Sequence, residues 1–539
     1  MSLSRRRFLK LTSVAAGAAA CGAPEGGPDS SVTVDARVDA RSDAEQDTGV
    51  DSGVDTGVDS GVDSGVEGPT DSAADAVVVD ARDAPEESST PVDAGPDSAA
   101  DASITPDASD ASDASDPDAG ALDPTRIAEE LAAFPHAVMA GDATDTSAMV
   151  WTRYVGSRPL VLRVFEMMGT RLVRMVLERD VTPAAGGFVH VDVAGLTPGT
   201  RYQYVFLQRE GAGFRSRSAI GKVRTAIASD ALEVVTFAGT SCTHQRGRPF
   251  PTLQHAAARG DLDFFVHTGD HVYCDGAASL AEFRVKYDEN WSSAGMRALH
   301  SGMGLYCTLD DHEVDNDFNP ERTAATTIAN GKSAYFEHRA QRRDSVDAQR
   351  IWRSFRWGRT LEIFMLDART ERRPSTRSTP GAIYLSRAQM DWLKASLASS
   401  TAVFKFIANS VPIANFPGLF DIQAQDRWEG YAAQRNEILD FIDARRVDNV
   451  WWLSGDFHLG TVAQLEPSGP RTRIREVLMG PGGNNPNLLF PTLLAPQFEF
   501  STGTSNYTVL RADPMARTVE VTFVSGTGAT LFTRRYTAT

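Results

Sequence analysis

Cysteine is scarce in this chain: four residues among 539, at positions 21, 242, 274 and 307. That excludes a scaffold built on disulfides in place of a core. Long apolar runs are also missing, and beyond the N-terminus no stretch is long enough to span a bilayer. Positive charge is in deficit, with a formal net charge of −18. No basic stripe or base-stacking motif occurs, which excludes nucleic acid as a stable partner. The acidity itself is unevenly placed. Residues 22–125 are mostly Asp, Ala, Ser, Val, Gly and Pro and hold roughly two dozen net negative charges, so the remainder is close to neutral. Such a segment lacks the apolar content to fold and reads as a disordered acidic linker, not as a clue to substrate. Its Asp-Ser-Gly-Val repeat from Asp51 onward lacks the alternating carboxylates and closing Glu of a calcium loop. The remaining residues, about 400, are enough for two domains with substantial cores.

Residues 1–21 read as an address. Ser4-Arg5-Arg6-Arg7-Phe8-Leu9-Lys10 resembles the twin-arginine export signature S-R-R-x-F-L-K at every position. A small apolar stretch, Leu11 to Ala20, ends at Cys21-Gly22, the layout of a signal peptide closing on a lipidated cysteine. Ala18 stands where Leu is usual, and a cleaved signal with an incidental cysteine is the alternative. The expected product is periplasmic or on the cell surface, lipid-anchored at Cys21 and tethered by the acidic linker. Twin-arginine export carries folded proteins, which suits an enzyme that acquires metals before leaving the cytoplasm.

From residue 134 to 227 the pattern is short alternating strands. Ala148–Arg153, Leu160–Phe165, Phe188–Val193 and Tyr202–Phe206 are the clearest, with a turn at Gly195–Thr200. This rhythm predicts a β-sandwich of roughly ninety residues. Over 232–539 apolar strand runs alternate with helical stretches. Val234–Phe237, Phe264–Thr268, Leu361–Leu366, Phe404–Ala408 and Val450–Ser454 read as buried strands, and Arg387–Leu397 and Arg435–Ile442 as amphipathic helices. The order predicts an α/β domain of layered sheets. Strands return at Tyr507–Arg511 and Thr518–Val524.

Polar clusters follow the apolar runs. One strand leads into Ser241-Cys242, the next into Gly269-Asp270-His271-Val272-Tyr273. Leu305–Leu309 leads into Asp310-Asp311-His312-Glu313-Val314-Asp315-Asn316, and Val450–Leu453 into Ser454-Gly455-Asp456-Phe457-His458. In open α/β sheets such strand ends face the active site. One Gly-Asp pair would be a turn and one Asp-Xaa-His a surface loop; four clusters of thiol, carboxylate, phenol and imidazole at four strand ends point to a shared metal site.

Their order resembles the calcineurin-like metallophosphoesterase superfamily, whose motifs run D-x-H, G-D, G-N-H-E and G-H-x-H. The departures, Cys242 for the first carboxylate and Tyr273 three residues after Asp270, are similar to the PhoD-type alkaline phosphatase/phosphodiesterase family. Met139–Thr144, Val150–Arg153, Phe355–Gly358, Met365–Arg369 and Gln389–Leu393 resemble that family too. The resemblance implies a layered α-β-β-α metallophosphoesterase domain behind a small fibronectin-like sandwich. It implies hydrolysis of phosphoric mono- or diesters by hydroxide activated at a binuclear centre, with Cys242, Asp270, Tyr273, Asp311, Asp456 and His458 as metal ligands. Thiolate and phenolate suit Fe3+. Asp311, Asp456 and His458 would offer a second, oxygen-rich site, where the family implies Ca2+ and where Zn, Mn or Fe2+ would also fit. His312 is the candidate general acid, with a brace on Asp311 as its alternative. Asn316 and Arg369 would hold phosphate oxygens, and an ordinary strand-end salt bridge is the alternative for Arg369. Asp310 would touch a further calcium or orient its neighbour.

His271 stands where the family has an aromatic residue and is read as facing solvent. Cys274 and Cys307 flank two of the loops, so a disulfide between them and two free thiols are alternatives; a bond from either to Cys242 would remove the metal thiolate. Two competing functions remain at this level: a phosphodiesterase restricted to phospholipid or teichoic-type polymers, and a catalytically silent surface lipoprotein on the same fold. The expected state is a monomer.

Overall fold

The computed structural model of the chain describes residues 123–417 and 426–538. The signal peptide with Cys21, and all but the last three residues of the 22–125 linker, lie outside the described residues. No helix among the described residues is long and apolar enough to cross a membrane.

Eight strands come first: β1 (Val138–Gly141), β2 (Ser147–Arg153), β3 (Leu160–Met168), β4 (Arg171–Val181), β5 (Phe188–Ala194), β6 (Arg201–Glu210), β7 (Gly213–Arg217) and β8 (Gly221–Arg224). They divide between two sheets. β4-β3-β6-β7 is a sheet of its own, with β8 on β6, whereas β1, β2 and β5 extend a larger sheet. The faces meet in one core, where Val138, Val150 and Val191 pack with Leu162, Tyr204 and Phe206. The predicted sandwich therefore forms, but one of its sheets is continuous with the rest of the molecule through the parallel pairing of β1 with the strand Gly304–Cys307. β4 was not legible because its exposed and half-buried residues follow no period of two.

The larger part runs β9 (Val235–Thr240), α1 (Pro251–Ala257), β10 (Phe264–His267), α2 (Leu280–Trp291), α3 (Ala294–Gly302), β11 (Gly304–Cys307), α4 (Ala325–Glu337), β12 (Arg353–Trp357), β13 (Leu361–Met365), α5 (Arg387–Ser399), β14 (Phe404–Ala408), α6 (Ala432–Ala444), β15 (Val450–Ser454), β16 (Gly460–Gln464), β17 (Arg475–Leu478), β18 (Phe498–Thr502), β19 (Asn506–Asp513), β20 (Thr518–Ser525) and β21 (Thr530–Thr537). One sheet has the order β21-β20-β19-β9-β10-β11-β1-β2-β5 and the other β12-β13-β14-β15-β17-β16-β18. The strands nearest the chemistry, β9-β10-β11 and β13-β14-β15-β17, are parallel.

Alternation along these strands builds the layers. Phe264 and Val266 of β10 pack with Trp451 and Leu453 of β15 between the sheets. Phe265 faces the other way, onto Leu253, Phe283, Trp291 and Leu299 of α1, α2 and α3. Trp452 faces Leu393 and Ile438 of α5 and α6. The result is the α-β-β-α arrangement, with strands buried on both faces as parallel sheets require.

Candidate metal centre

The carboxyl ends of β9, β10, β11 and β15 lead into the four predicted clusters. The chain turns sharply there. Cys242, Asp270, Asp456 and His458 all have left-handed backbone, with φ of 56°, 55°, 67° and 51°. Each such non-glycine residue costs of order 1–3 kcal/mol and persists only where its surroundings hold it. Here they do. The Glu313 carboxylate accepts the amides of Asp270 (3.1 Å), His271 (2.7 Å) and Asp310 (2.9 Å). Cys242 N donates to Gly269 O at 3.2 Å and Thr243 N to Asp270 O at 2.9 Å. Gly269 has to be glycine: a Cβ there would lie 2.5 Å from Asp310 Cβ.

Ligating atoms gather in three overlapping groups, each within 4.8 Å: Cys242, Asp270 and His458; Asp270, Asp311 and His312; Asp310, Asp311 and Asp456. Tyr273 Oη joins the first, donating to Asp270 Oδ2 at 3.2 Å and lying 3.3 Å from His458 Nε2. The donor atoms of all six residues predicted as ligands thus belong to one connected cluster. Their grouping differs from that expected: His458 stands with Cys242, and Asp310 joins Asp311 and Asp456. The successive left-handed turns at 456 and 458 send the two side chains of one loop to different groups.

The charges argue that this pocket takes cations. Asp270 Oδ1 and Asp310 Oδ2 are buried without a hydrogen-bond partner among the described residues, an arrangement that buried carboxylates rarely sustain. Burial above all, then neighbouring carboxylates, raises Asp270 and Asp456 well beyond the usual carboxylate range, with His312 and Arg369 respectively opposing. Burial and then the Asp270 charge likewise push up the Cys242 thiol. Oxygen, sulfur and nitrogen donors that repel one another when ionised are what one or two cations would satisfy. Cys242, Cys274 and Cys307 are all free and buried.

The remaining predicted residues are less uniform. His312 rests on the Tyr273 ring, centroids 4.0 Å apart, and its Nδ1 is 2.7 Å from Asp275 Oδ1. Burial pulls its pKa down, but the Asp270 charge and the Asp275 bond prevail and push it up to about 11. Arg369 is fully buried, donates through Nε to Asp310 and from Nη2 to Asp456 at 3.2 Å, and lies 3.7 Å from Asp311. Its Nη1 is buried and has no hydrogen-bond partner among the described residues. Asp367 orients it by accepting Arg369 N at 3.1 Å, and Gln389 clamps Asp367 from both sides, at 2.9 and 3.1 Å. Asn316 is exposed, with its side chain on Asp317 at 3.0 Å and its amide on Asp275, and it touches none of the clustered carboxylates. His271 corrects the expectation: it is fully buried, stacked on His267 at 3.9 Å with Nε2 3.3 Å from that of His300. Glu313 holds its amide and Asn290 its carbonyl, at 2.8 Å, and the ring points into the core.

Sequence reasoning passed over Asp275, which aims His312, and Asn484, whose Nδ2 lies 2.7 Å from Tyr273 Oη. Asp275 was findable, being five residues after Asp270; Asn484 follows the short strand β17 in a Gly-Asn run that reads as a plain turn.

Comparison with known proteins agrees with this geometry. Residues 237–483 match the family model of the PhoD-like phosphatase, and residues 118–227 that of the PhoD-like phosphatase N-terminal domain. Alkaline phosphatase D of Bacillus subtilis (strain 168) is 28% identical over 395 residues, 63% of this chain and 67% of that protein. A solved structure of PhoD superposes with a TM-score of 0.64 at 22% identity, covering 75% of this chain and 89% of its own. Purple acid phosphatase PPD1 from yellow lupin (Lupinus luteus) seeds shares the fold, with a TM-score of 0.56 at 12% identity over 74% of this chain and 73% of its own. Two PhoD-like phosphatase family models thus match the chain in succession, and it is a phosphoric ester hydrolase.

Proposed function

We propose that this hydrolase is an exported phosphomonoesterase or phosphodiesterase that works with two cations, held as a monomer outside the cytoplasm by a lipid on Cys21. The observation that carries the two-cation reading is Asp270, whose carboxylate belongs at once to the Cys242–His458 group and to the Asp311–His312 group. Cys242, Tyr273, Asp270 and His458 make a set with an anionic sulfur and an anionic phenol oxygen, suited to Fe3+. Asp310, Asp311 and Asp456 offer oxygen alone, suited to Ca2+, with Zn, Mn or Fe2+ as alternatives. When bound, such a pair would supply Lewis acidity, lowering the pKa of water and steadying a leaving oxygen.

The chain's own residues do the rest. His312, aimed by Asp275, would donate a proton from Nε2 to the departing alkoxide. Arg369 would keep Asp310 and Asp456 in place and would hold a phosphate oxygen through charge-assisted bonds. Asn316, at the exposed rim, would meet the substrate from outside the carboxylate cluster.

Elemental analysis of purified protein, alongside turnover of mono- and diesters, tests this. Near one equivalent of iron is expected, with iron and turnover both lost in Cys242→Ala and Asp270→Ala. An active protein without iron refutes the ferric assignment, and full turnover in Asp270→Ala refutes the shared carboxylate. For export, Arg5→Lys with Arg6→Lys should strand the protein in the cytoplasm, and Cys21→Ser should release it from the membrane fraction.

A further inference from the structure

Asn484 reaches the Cys242 side of the pocket from the loop after β17. Its Nδ2 is 2.7 Å from Tyr273 Oη and 3.0 Å from His458 Nε2. The amide is held in this sense because Oδ1 accepts Asn485 N at 2.7 Å. The loop beneath it is also fixed. Gly482 N donates to Ser241 O at 2.7 Å and Gly483 N to Cys242 O at 3.3 Å, with a parallel bridge between Thr243 and Gly483. On the other side Asn506, fully buried, gives Nδ2 to Gly480 O at 2.7 Å and its amide to Pro481 O at 2.8 Å. The loop that supplies Cys242 and the loop that supplies Asn484 are therefore bonded side by side. A preset N–H is offered to an oxygen that gives up its own proton when it binds a cation.

We propose that Asn484 is a positioning residue for the cation held by Cys242 and Tyr273. Its amide donates to the Tyr273 oxygen, sets the direction in which that oxygen faces the cation, and draws charge from it. This rests on the two-cation reading above. Partners that orient a ligand atom in this way account for 10–100-fold in metal affinity. An asparagine that served only to shape the loop would act through fold stability instead.

The test titrates metal-free protein with Co2+, using thiolate-to-cobalt absorbance to follow the Cys242 site. Asn484→Leu keeps the volume and removes the donor. It should weaken Co2+ binding about 10–100-fold while leaving the melting temperature of the metal-free protein unchanged. In a Tyr273→Phe background the same substitution should cost less than about threefold, because the acceptor is gone. Asn485→Ala, at an exposed neighbour, should bind as the unaltered protein does. Wild-type affinity in Asn484→Leu, or an equal loss with and without the Tyr273 hydroxyl, overturns the proposal alone. Absence of Cys242-dependent Co2+ uptake by the unaltered protein overturns the two-cation reading, and this proposal with it.

Discussion

Glu313 and Arg339 form an ion pair at 3.2 Å with almost no solvent exposure on either side chain, and the loops of the candidate metal centre hang from it. Arg339 also stacks on the Tyr335 ring at 3.9 Å and donates to Tyr287 Oη at 2.9 Å. The pair spans from α4 to the amides of Asp270, His271 and Asp310, so it connects helix packing to ligand position. Breaking a buried pair by neutralising one partner leaves an uncompensated charge. Glu313→Gln should therefore cost about 3–5 kcal/mol of stability, read by urea unfolding, and should lower metal content. An unchanged unfolding free energy would remove the pair from this role.

Metal removal should make stability fall as pH rises. Folding raises His312 from 6.5 to about 11, and a group whose pKa rises on folding stabilises below its unfolded value and loses that contribution as pH climbs through the folded one. Asp270 and Asp456 are raised too, so the folded metal-free chain again holds more protons than the unfolded one. All act in the same sense above pH 6.5. The melting temperature of chelated protein should drop steadily from pH 7 to pH 10, and far less with cations restored. A flat or rising profile for the chelated protein would contradict this.

A proton donor matters most when the leaving group is poor. His312→Asn should cost about 10²–10⁴-fold in kcat on alkyl phosphates and much less on nitrophenyl phosphate, whose phenolate leaves unaided. Asp275→Asn should show the same preference with a smaller loss. Equal losses on both substrates would assign His312 to bracing Asp311.

Arg369→Lys separates the two readings of that guanidinium. Lysine keeps a charge near Asp310 and Asp456 but loses the planar fork. If Nη1 meets phosphate, KM and inhibition by inorganic phosphate should both weaken by roughly tenfold with the metals retained. Loss of metal without a change in KM would mark a purely structural ion pair.

Much of the fold was legible because alternation is a local property. The strands Phe404–Ala408 and Val450–Ser454 appear at the predicted residues. The six positions predicted as ligands stood out as chemistry that packing could not explain, and their donor atoms converge in space. β4 was not legible, since its exposed and half-buried residues follow no alternation, nor was the sheet shared between β1 and β11, which depends on pairing across some 160 residues. His271 was misread because a polar residue beside a turn ordinarily faces solvent; only the packing of His267, Trp291 and His300 around it shows the pocket that encloses it.

The sequence alone determined the alternation of strand and helix and the kinds of donor available, because periodicity and residue chemistry are written along the chain. The tertiary structure decided which donors meet: that Asp270 serves two groups, that His458 and Asp456 part company within one loop, and that Asn484 comes to Tyr273 from 211 residues away. Those are outcomes of backbone turns and of loops bonded side by side, and distance along a chain carries no record of them.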